Sequence, residues 1–278
     1  MKSTLLMTWI QFVRLPGVLT VPGDVMVGAA VSGRELSWRT VGAVGLAYVF
    51  GMALNDVMDF EQDMLERPER PLASGAISRA RGRAACLVLG MGAFLVHPTG
   101  PMAGLLGVIV LYTALKSVHI LLGALLMAAC RGGAVWIGAG APRTLSLHLA
   151  GVMGFWMLLI AGITLLADRE NDPEPSGSGL SGILAGGWLA GATGMLVLSS
   201  PPFWTCIPWL ILAVMLWRNH DAIRRQQQVH PQQIGVLLSL LIPLQSLVLM
   251  ASGQVVPAAW LLLTWPLLRF TAKRVAMS

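Results

Sequence analysis

The feature that most constrains this chain is the recurrence of apolar stretches along the whole sequence. Each stretch runs for roughly 16 to 20 residues, about the length that an α-helix needs to cross a bilayer. Hydrophobic residues make up 55% of the 278 residues and charged residues only 12%, about half of the charged share of a soluble domain. Because the stretches are continuous rather than alternating, they predict membrane-spanning helices instead of barrel strands.

The apolar stretches predict an all-α, polytopic membrane bundle of nine or ten transmembrane helices, forming a single domain over residues 1–278. Polar segments are expected between the spans, including a basic segment at 59–83, an acidic loop at 168–179 and a polar loop at 218–233. The predicted spans are Gly17–Ser32, Thr40–Met58, Ala84–His97, Met102–Leu115, His119–Gly140, Leu147–Ala167, Leu180–Leu198, Phe203–Trp217, Ile234–Ala251 and Val255–Phe270.

The basic residues divide unequally between the two sides of this predicted bundle. With the loop after the second span placed inside, 15 of the 19 Lys and Arg residues lie inside, three lie outside, and Arg131 lies within a span. Lys and Arg concentrate in cytoplasmic loops, so we expect a multi-pass integral membrane protein, in the inner membrane if bacterial. The same rule accounts for the net charge of +6 without a nucleic acid partner.

A polar segment, NDVMDFEQDMLERPERPLASG, directly follows the second span and begins at Asn55. Asp56, Asp59 and Asp63 stand at offsets of three and four, so their carboxylates share one face if the helix continues. Asn55 lies four residues before Asp59, and its amide oxygen can join this group. Oxygen ligands of this kind suit Mg²⁺, which is commonly held by a few carboxylates and by substrate phosphates.

A second acidic segment, LLADRENDPE, ends the sixth span and contains Asp168 and Asp172. Spans two and six are both even-numbered and descend to the same face, so the two acidic groups can converge there, on the expected cytoplasmic side. Converging carboxylates could bind metal ions that bridge the diphosphate of an isoprenyl diphosphate, with its tail between apolar helices. The candidates to share the diphosphate charge are Arg67, Arg70, Lys116 and Arg131.

Taken together, these segments resemble the UbiA superfamily of intramembrane prenyltransferases. The family's first motif is N-D-x-x-D-x-x-x-D and its second is D-x-x-x-D, and the chain fits every place in both. An RP-L-x-S-G continuation at residues 70–75 also matches, and the resemblance covers essentially the whole chain. The residues that fit the two motifs are Asn55, Asp56, Asp59 and Asp63, and Asp168 and Asp172.

The resemblance implies a bundle of about nine helices around a central cavity, with Mg²⁺ and a prenyl diphosphate at its cytoplasmic mouth. It implies metal ligation by the six motif residues and a catalytic role for Asp56, Asp59, Asp168 and Asp172. Substrate binding is assigned, partly through a subgroup related to EboC, to Arg14, Asp24, Arg67, Arg70, Tyr112, Lys116 and Arg131. The chain departs from that subgroup at Ala134, where Asn is frequent, and at Gln245, where Asp is frequent.

Asp24 is unusual because it is a carboxylate within an apolar span. Such a residue is costly there and is usually functional or paired, so Asp24 could line the pocket or pair with Arg14 or a backbone nitrogen. Lys116 likewise has two readings, as a diphosphate contact or as a lysine that reaches the membrane interface.

The expected activity is Mg²⁺-dependent ionisation of an isoprenyl diphosphate, followed by transfer of the prenyl group to an unknown acceptor and release of pyrophosphate. The acceptor would be aromatic or a specialised-metabolite precursor. One alternative is a membrane terpene synthase that cyclises the same substrate. A second is a transporter or assembly partner for a lipid-like precursor, which broken helices near Asp24 would favour.

Overall fold

A computed structural model describes residues 5–171, 177–199 and 203–275. Within these ranges the chain is helical, with two short 3₁₀ turns at Arg169–Asn171 and Phe203–Thr205 and with no strand. This confirms the predicted all-α fold. The helices are α1 (Leu5–Phe12), α2 (Leu15–Val18), α3 (Val21–Val31), α4 (Trp38–Met58), α5 (Phe60–Glu66), α6 (Arg79–Val96), α7 (Gly100–Leu115), α8 (Ile120–Gly138), α9 (Leu147–Asp168), α10 (Ser178–Ser199), α11 (Cys206–Gln226), α12 (Pro231–Ser239), α13 (Leu241–Ala251) and α14 (Val255–Val275).

Among the described residues, four helical segments are both long and apolar enough to cross a membrane. They are α4, α8, α9 and the α12–α13 pair, Pro231–Ala251. Shorter apolar helices accompany them at Val21–Val31, Gly100–Leu115 and Val255–Pro266. The nine or ten predicted spans therefore correspond to helices of unequal length, several of them shorter than the hydrocarbon thickness.

The first predicted span, Gly17–Ser32, is broken instead of continuous. α2 ends at Val18 and α3 begins at Val21, with Pro22 in the first turn, where its missing N–H leaves no helical bond unmade. At this break, the backbone carbonyl of Thr20 accepts a hydrogen bond of 2.8 Å from Nε2 of Gln245.

The predicted ninth span, Ile234–Ala251, contains a second break. α12 ends at Ser239 and α13 begins at Leu241. Pro243 explains this interruption, because proline has no N–H and its ring collides with the carbonyl four residues earlier, here that of Ser239. The two interrupted segments pack against each other through α3 and α13, so they meet where Gln245 reaches the carbonyl of Thr20.

The prediction of a loop at 218–233 is wrong for residues 218–226, since α11 continues to Gln226. Asp221 and Arg225 stabilise the extra turns with an ion pair of 2.9 Å, one helical turn apart. The helix ends at Gln227, whose φ of 56° is left-handed. A hydropathy pattern detects the polar residues but does not detect that they pair along one helix face.

The first acidic segment remains helical beyond the end of α4. The chain bends at Asp59, but the amides of Asp59 and Asp63 still bond to the carbonyls of Asn55 and Asp59, at 2.9 and 2.8 Å. α5 then continues to Glu66. The expected helical extension of the motif is therefore present, with a bend that separates Asp56 from the residues that follow.

Helices α3 and α8 approach each other closely because glycines face each other at their contact. A Cβ atom on Gly28 would lie 1.9 Å from the carbonyl oxygen of Val135, and one on Gly138 would lie 2.2 Å from that of Val25. Small residues allow this close packing between membrane helices. The contact brings Asp24 of α3 next to Arg131 of α8.

Candidate active site

A cavity of about 430 Å³ lies where α4, α7 and α9 end and α8 begins. Many of the residues singled out from the sequence line it, although they are far apart in the chain. Described residues of both acidic segments line this one cavity. They converge as the parity of their spans predicts. The predicted residues that line the cavity are Arg14, Asn55, Asp59, Asp63, Arg67, Arg70, Tyr112, Lys116 and Asp168.

Lys116, the residue that follows α7, faces the end of α4 across this cavity. Its ammonium group donates hydrogen bonds to Oδ1 of Asn55 and Oδ2 of Asp59. Nδ2 of Asn55 in turn donates to the same carboxylate oxygen of Asp59 at 2.9 Å. A cation of the protein therefore occupies the position between the two oxygen ligands predicted to hold a metal ion.

Asp63 and Asp56 are paired with arginines. Nη1 of Arg70 donates to both carboxylate oxygens of Asp63, at 2.6 and 2.7 Å, and lies 3.7 Å from Oδ1 of Asp56. Arg14 donates to the same Oδ1 of Asp56. Asp56 is 2% exposed and does not line the cavity, and its carboxylate lies beside Arg14 and Arg70, which do.

The second acidic segment enters the cavity through Asp168, the last residue of α9. Beyond it, Glu170 faces Arg67 and His230. Burial raises the pKa of the Glu170 carboxyl, and the positive charges of Arg67 and His230 act in the opposite direction. Asp172, the other predicted residue of this motif, lies outside the described residues.

The oxygen ligands around the cavity do not form a closed metal cage. Within residues 5–171, 177–199 and 203–275, no three His, Cys, Asp or Glu side chains are grouped tightly enough to hold one ion. The ion pairs explain this, because each carboxylate of the first motif is drawn toward its own cation. Mg²⁺ needs only one or two carboxylates when phosphates supply further ligands, so the oxygen-only set suits that ion.

The deeper wall of the cavity is largely apolar. Met52, Ile109 and Met127 line it from α4, α7 and α8. A ligand with an anionic head and an apolar tail therefore matches the distribution of charge and hydrocarbon in this cavity.

Sequence reasoning missed several polar residues that line the cavity, including Tyr48, Gln62 and Thr164. Helical spacing could have identified these residues as cavity-lining. Tyr48 and Gln62 lie seven residues on either side of Asn55, and Thr164 lies four residues before Asp168. Residues at these offsets occupy one helix face.

Asp24 and Arg131 lie below the cavity and do not line it. Nε of Arg131 is 2.7 Å from Oδ2 of Asp24, and the Oδ1 atom accepts bonds from Trp156 at 2.9 Å and Gln245 at 2.8 Å. Asp24 is predicted to line the pocket, and the structure places it outside this cavity. The alternative, a pair with Arg14, is wrong, because Arg14 binds Asp56.

The ring of Tyr48 lies beside both this interior pair and the cavity. Cζ of Arg131 lies 5.6 Å from the ring centroid of Tyr48, and Tyr48 lines the cavity wall. Arg131 is 2% exposed, so its predicted contact with a diphosphate would require its side chain to leave Asp24.

Comparison with known proteins gives a family for most of the chain. A model of the UbiA prenyltransferase family matches residues 18–241. The digeranylgeranylglyceryl phosphate synthase of Halobacterium salinarum is 36% identical over 86 residues, 31% of each chain. The enzyme of that name from Ignicoccus hospitalis is 31% identical over 102 residues, 36% of this chain and 34% of the relative. The chain therefore spans about a third of the length of these curated relatives.

Solved structures share the fold over nearly their full length. A UbiA homolog from Aeropyrum pernix K1 has a TM-score of 0.66 and 17% identity, with 84% of this chain and 96% of that one covered. A UbiA homolog from Archaeoglobus fulgidus, bound to GPP and Mg²⁺, has a TM-score of 0.58 and 15% identity, with 90% and 99% covered. At these identities the similarity shows the helical bundle.

Proposed function

The chain belongs to the UbiA prenyltransferase family, an intramembrane prenyltransferase family, and from that premise we propose the reaction and its residues. The protein ionises an isoprenyl diphosphate in the presence of Mg²⁺, transfers the prenyl group to an acceptor and releases pyrophosphate. One observation supports this most strongly: carboxylates from both acidic segments line one cavity together with Arg14, Arg67, Arg70 and Lys116, and its deeper wall is largely apolar.

Oxygen ligands on α4, α5 and α9 would hold Mg²⁺ in this scheme. They include the amide oxygen of Asn55 and the carboxylates of Asp59, Asp63 and Asp168, which line the cavity. When bound, the ion would neutralise charge that develops on the leaving diphosphate. Asp56 and Asp172 remain predicted ligands from the motif pattern.

The cations at the mouth would bind the diphosphate after leaving their carboxylates. Arg70 presents a planar guanidinium that suits two phosphate oxygens, and Lys116 presents a compact ammonium. Both are only partly buried, with side chains 15% and 21% exposed, so an anionic ligand can reach them. Arg14 and Arg67 line the same mouth and extend this positive surface.

The apolar wall would hold the prenyl tail and keep water from the allylic cation. Met52, Ile109 and Met127 present an apolar surface that excludes water from the surroundings of a carbocation. Without such a wall, water would capture the cation and release a prenyl alcohol.

Relatives give one candidate class of acceptor. The curated proteins similar to part of this chain are digeranylgeranylglyceryl phosphate synthases, so a glyceryl phosphate acceptor joins the aromatic and specialised-metabolite acceptors expected from the sequence. Cyclisation of the donor, with no acceptor, uses the same acidic residues and is separated from transfer by the products.

The test uses purified protein in lipid with Mg²⁺ and geranyl, farnesyl or geranylgeranyl diphosphate, with and without glyceryl phosphate or aromatic acceptors. We expect Asp59→Asn to slow pyrophosphate release by on the order of 10³, because it weakens charge stabilisation at the leaving group. Glu61→Gln is the matched control, since Glu61 lies in the same segment, is paired with Arg79 at 3.1 Å and does not line the cavity.

Product masses decide among the candidate activities. A prenylated acceptor that disappears in Asp59→Asn supports transfer and identifies the acceptor. A cyclic hydrocarbon or alcohol formed without acceptor would assign a terpene synthase instead. Failure of every diphosphate to bind in the presence of Mg²⁺ would overturn the proposal and favour transport of a lipid-like precursor.

A further inference from the structure

A second cavity, of about 610 Å³, lies at the other end of the bundle. It is bounded by the first residues of α4 and α7 and by the last residues of α3 and α8. Thr40 lines this cavity and Asn55 lines the first one, fifteen residues apart on α4. At 1.5 Å per residue that is about 22 Å, so the two cavities open toward opposite faces of the membrane.

The guanidinium of Arg34 projects into the second cavity with no partner of its own. It packs on Gly140, so closely that a Cβ atom there would lie 1.4 Å from Nη1. The left-handed φ of 77° at this residue also favours glycine. Arg34 makes no ion pair or side-chain hydrogen bond with any residue in the described ranges, which leaves its donors free toward the cavity.

Three hydroxyl groups line the same cavity, and that of Thr40 is on a buried residue. Thr40 is 7% exposed, and its hydroxyl has no hydrogen-bond partner among residues 5–171, 177–199 and 203–275. Ser37 and Thr99 cap α4 and α7 by accepting bonds from the amides of Thr40 and Met102, at 3.3 and 3.4 Å. Each capping hydroxyl still has its own hydrogen to donate.

Helix ends of both polarities border this cavity. The N-terminal ends of α4 and α7, helices of 21 and 16 residues, carry partial positive charge toward it, and the C-terminal ends of α3 and α8 carry partial negative charge, so the side chains decide which ligand it prefers. His97 adds a ring N–H donor, and Glu35 is the only acidic residue of the described chain that lines the cavity. Arg34 and Glu35 are both exposed, so solvent screens both charges at the rim, and Arg34 contributes mainly through its hydrogen-bond donors.

We propose that this cavity binds a phosphate group, as a mono- or diester, at the membrane face opposite the active site. A guanidinium, free hydroxyls and helix N-termini are the groups that recognise phosphate oxygens. Two sources share this chemistry, a phospholipid headgroup in that leaflet and a soluble phosphate ester. The proposal does not depend on the proposed reaction, because the two cavities share no lining residue.

Arg39 provides a matched control for charge alone. It lies five residues after Arg34, in the first turn of α4, but its Nε donates to the backbone carbonyl of Val96, and it does not line the cavity. Removing either arginine changes the net charge of this face by the same amount, and only Arg34 contributes free donors to the proposed site.

The experiment measures ligand retention by native mass spectrometry on delipidated protein in a neutral detergent. The probes are phosphatidylglycerol and, separately, glycerol 3-phosphate and inorganic phosphate. We expect Arg34→Gln to weaken binding about tenfold and Thr40→Val to weaken it severalfold, with Arg39→Gln within about twofold of the parent. Consumption of prenyl diphosphate should stay unchanged in all three variants, which separates this proposal from the proposed function.

Each outcome has a defined meaning. Retention of phosphatidylglycerol that excess inorganic phosphate does not displace assigns a lipid headgroup. Binding of the soluble phosphates, with displacement of the lipid, assigns a soluble phosphate ester. Equal losses in Arg34→Gln and Arg39→Gln, or no phosphate ligand retained by the parent protein, would overturn the proposal.

Discussion

The mouth of the candidate active-site cavity and the interior beneath it hold ion pairs of similar chemistry in different surroundings. At the mouth, the side chains of Lys116 and Asp59 are 21% and 19% exposed. In the interior, those of Arg131 and Asp24 are 2% and 0% exposed. Since exposed pairs contribute little and buried pairs are costly to separate, the mouth pairs can exchange partners with a ligand, whereas the interior pair is fixed.

The interior pair is fixed by its neighbours as well as by burial. Asp24 accepts hydrogen bonds from Trp156 and Gln245, and Arg131 donates to the hydroxyl of Thr20 at 3.0 Å. These residues come from α3, α8, α9, α13 and the break before α3, so the network ties together the helices beneath the cavity. A carboxylate in a membrane span can therefore be structural when its partners surround it, although such residues usually suggest a substrate pathway.

The largest expected effect comes from breaking the interior pair. Arg131→Met should destabilise the protein by about 3–5 kcal/mol, because Asp24 then stays buried without a countercharge. Thermal inactivation in detergent or denaturant titration of the parent and the variant measures this loss.

A double variant sharpens the same comparison. Asp24→Asn combined with Arg131→Met removes both charges and should recover most of the stability lost in Arg131→Met alone. If Arg131→Met instead keeps its stability and loses binding of the prenyl diphosphate, then Arg131 contacts substrate as the sequence resemblance implied. The conclusion that the interior pair is fixed while the mouth pairs exchange partners would then be wrong.

A smaller change in stability is expected at the mouth, together with opposite changes in the affinity for Mg²⁺ and for the prenyl diphosphate. Lys116→Met should cost at most about 1 kcal/mol, because the pair with Asp59 is partly exposed. Removing the ammonium leaves Asn55 and Asp59 free, so less Mg²⁺ should be needed for half-maximal activity. The KM for the prenyl diphosphate should rise about tenfold, since a phosphate contact is lost.

Arg79→Met is the control for Lys116→Met. Arg79 forms an ion pair with Glu61 and has a side chain that is 48% exposed, and it does not line the cavity. Its replacement should change neither the Mg²⁺ requirement nor the KM. A decrease in Mg²⁺ affinity in Lys116→Met would show that the lysine supports the metal ligands and does not compete for them.

The arrangement of the site could be predicted from the sequence where helical periodicity and membrane topology apply. The offsets of Asn55, Asp59 and Asp63 place oxygen ligands on one helix end, and the parity of the spans brings Asp168 to the same end. Both rules depend only on regular geometry along the chain, and the structure agrees with them for the residues it describes.

The pairing of the charges could not be predicted in the same way. Arg131 and Lys116 both resemble diphosphate ligands in the sequence, yet one is buried against Asp24 and the other lines the cavity. The difference arises from the close contact of α3 and α8 through Gly28 and Gly138, which is a long-range packing event. Similarly, the helical turns beyond Arg218 depend on side-chain pairing that hydropathy does not describe.

The smallest expected effect concerns Glu170, at the outer edge of the mouth. Burial raises the pKa of its carboxyl in the folded protein above the ordinary value of 4.5, against the opposing charges of Arg67 and His230. Between the unfolded and folded pKa values the folded protein binds more protons than the unfolded chain, so this group lowers stability as pH rises through that window.

Glu170→Gln should therefore be slightly more stable than the parent at neutral pH, by under about 0.5 kcal/mol after screening. Its advantage should shrink as the pH falls, and thermal inactivation of both proteins across pH measures it. An advantage that grows on acidification would mean that Glu170 is stabilised by Arg67 and His230 as an ion, as the carboxylates inside the mouth are.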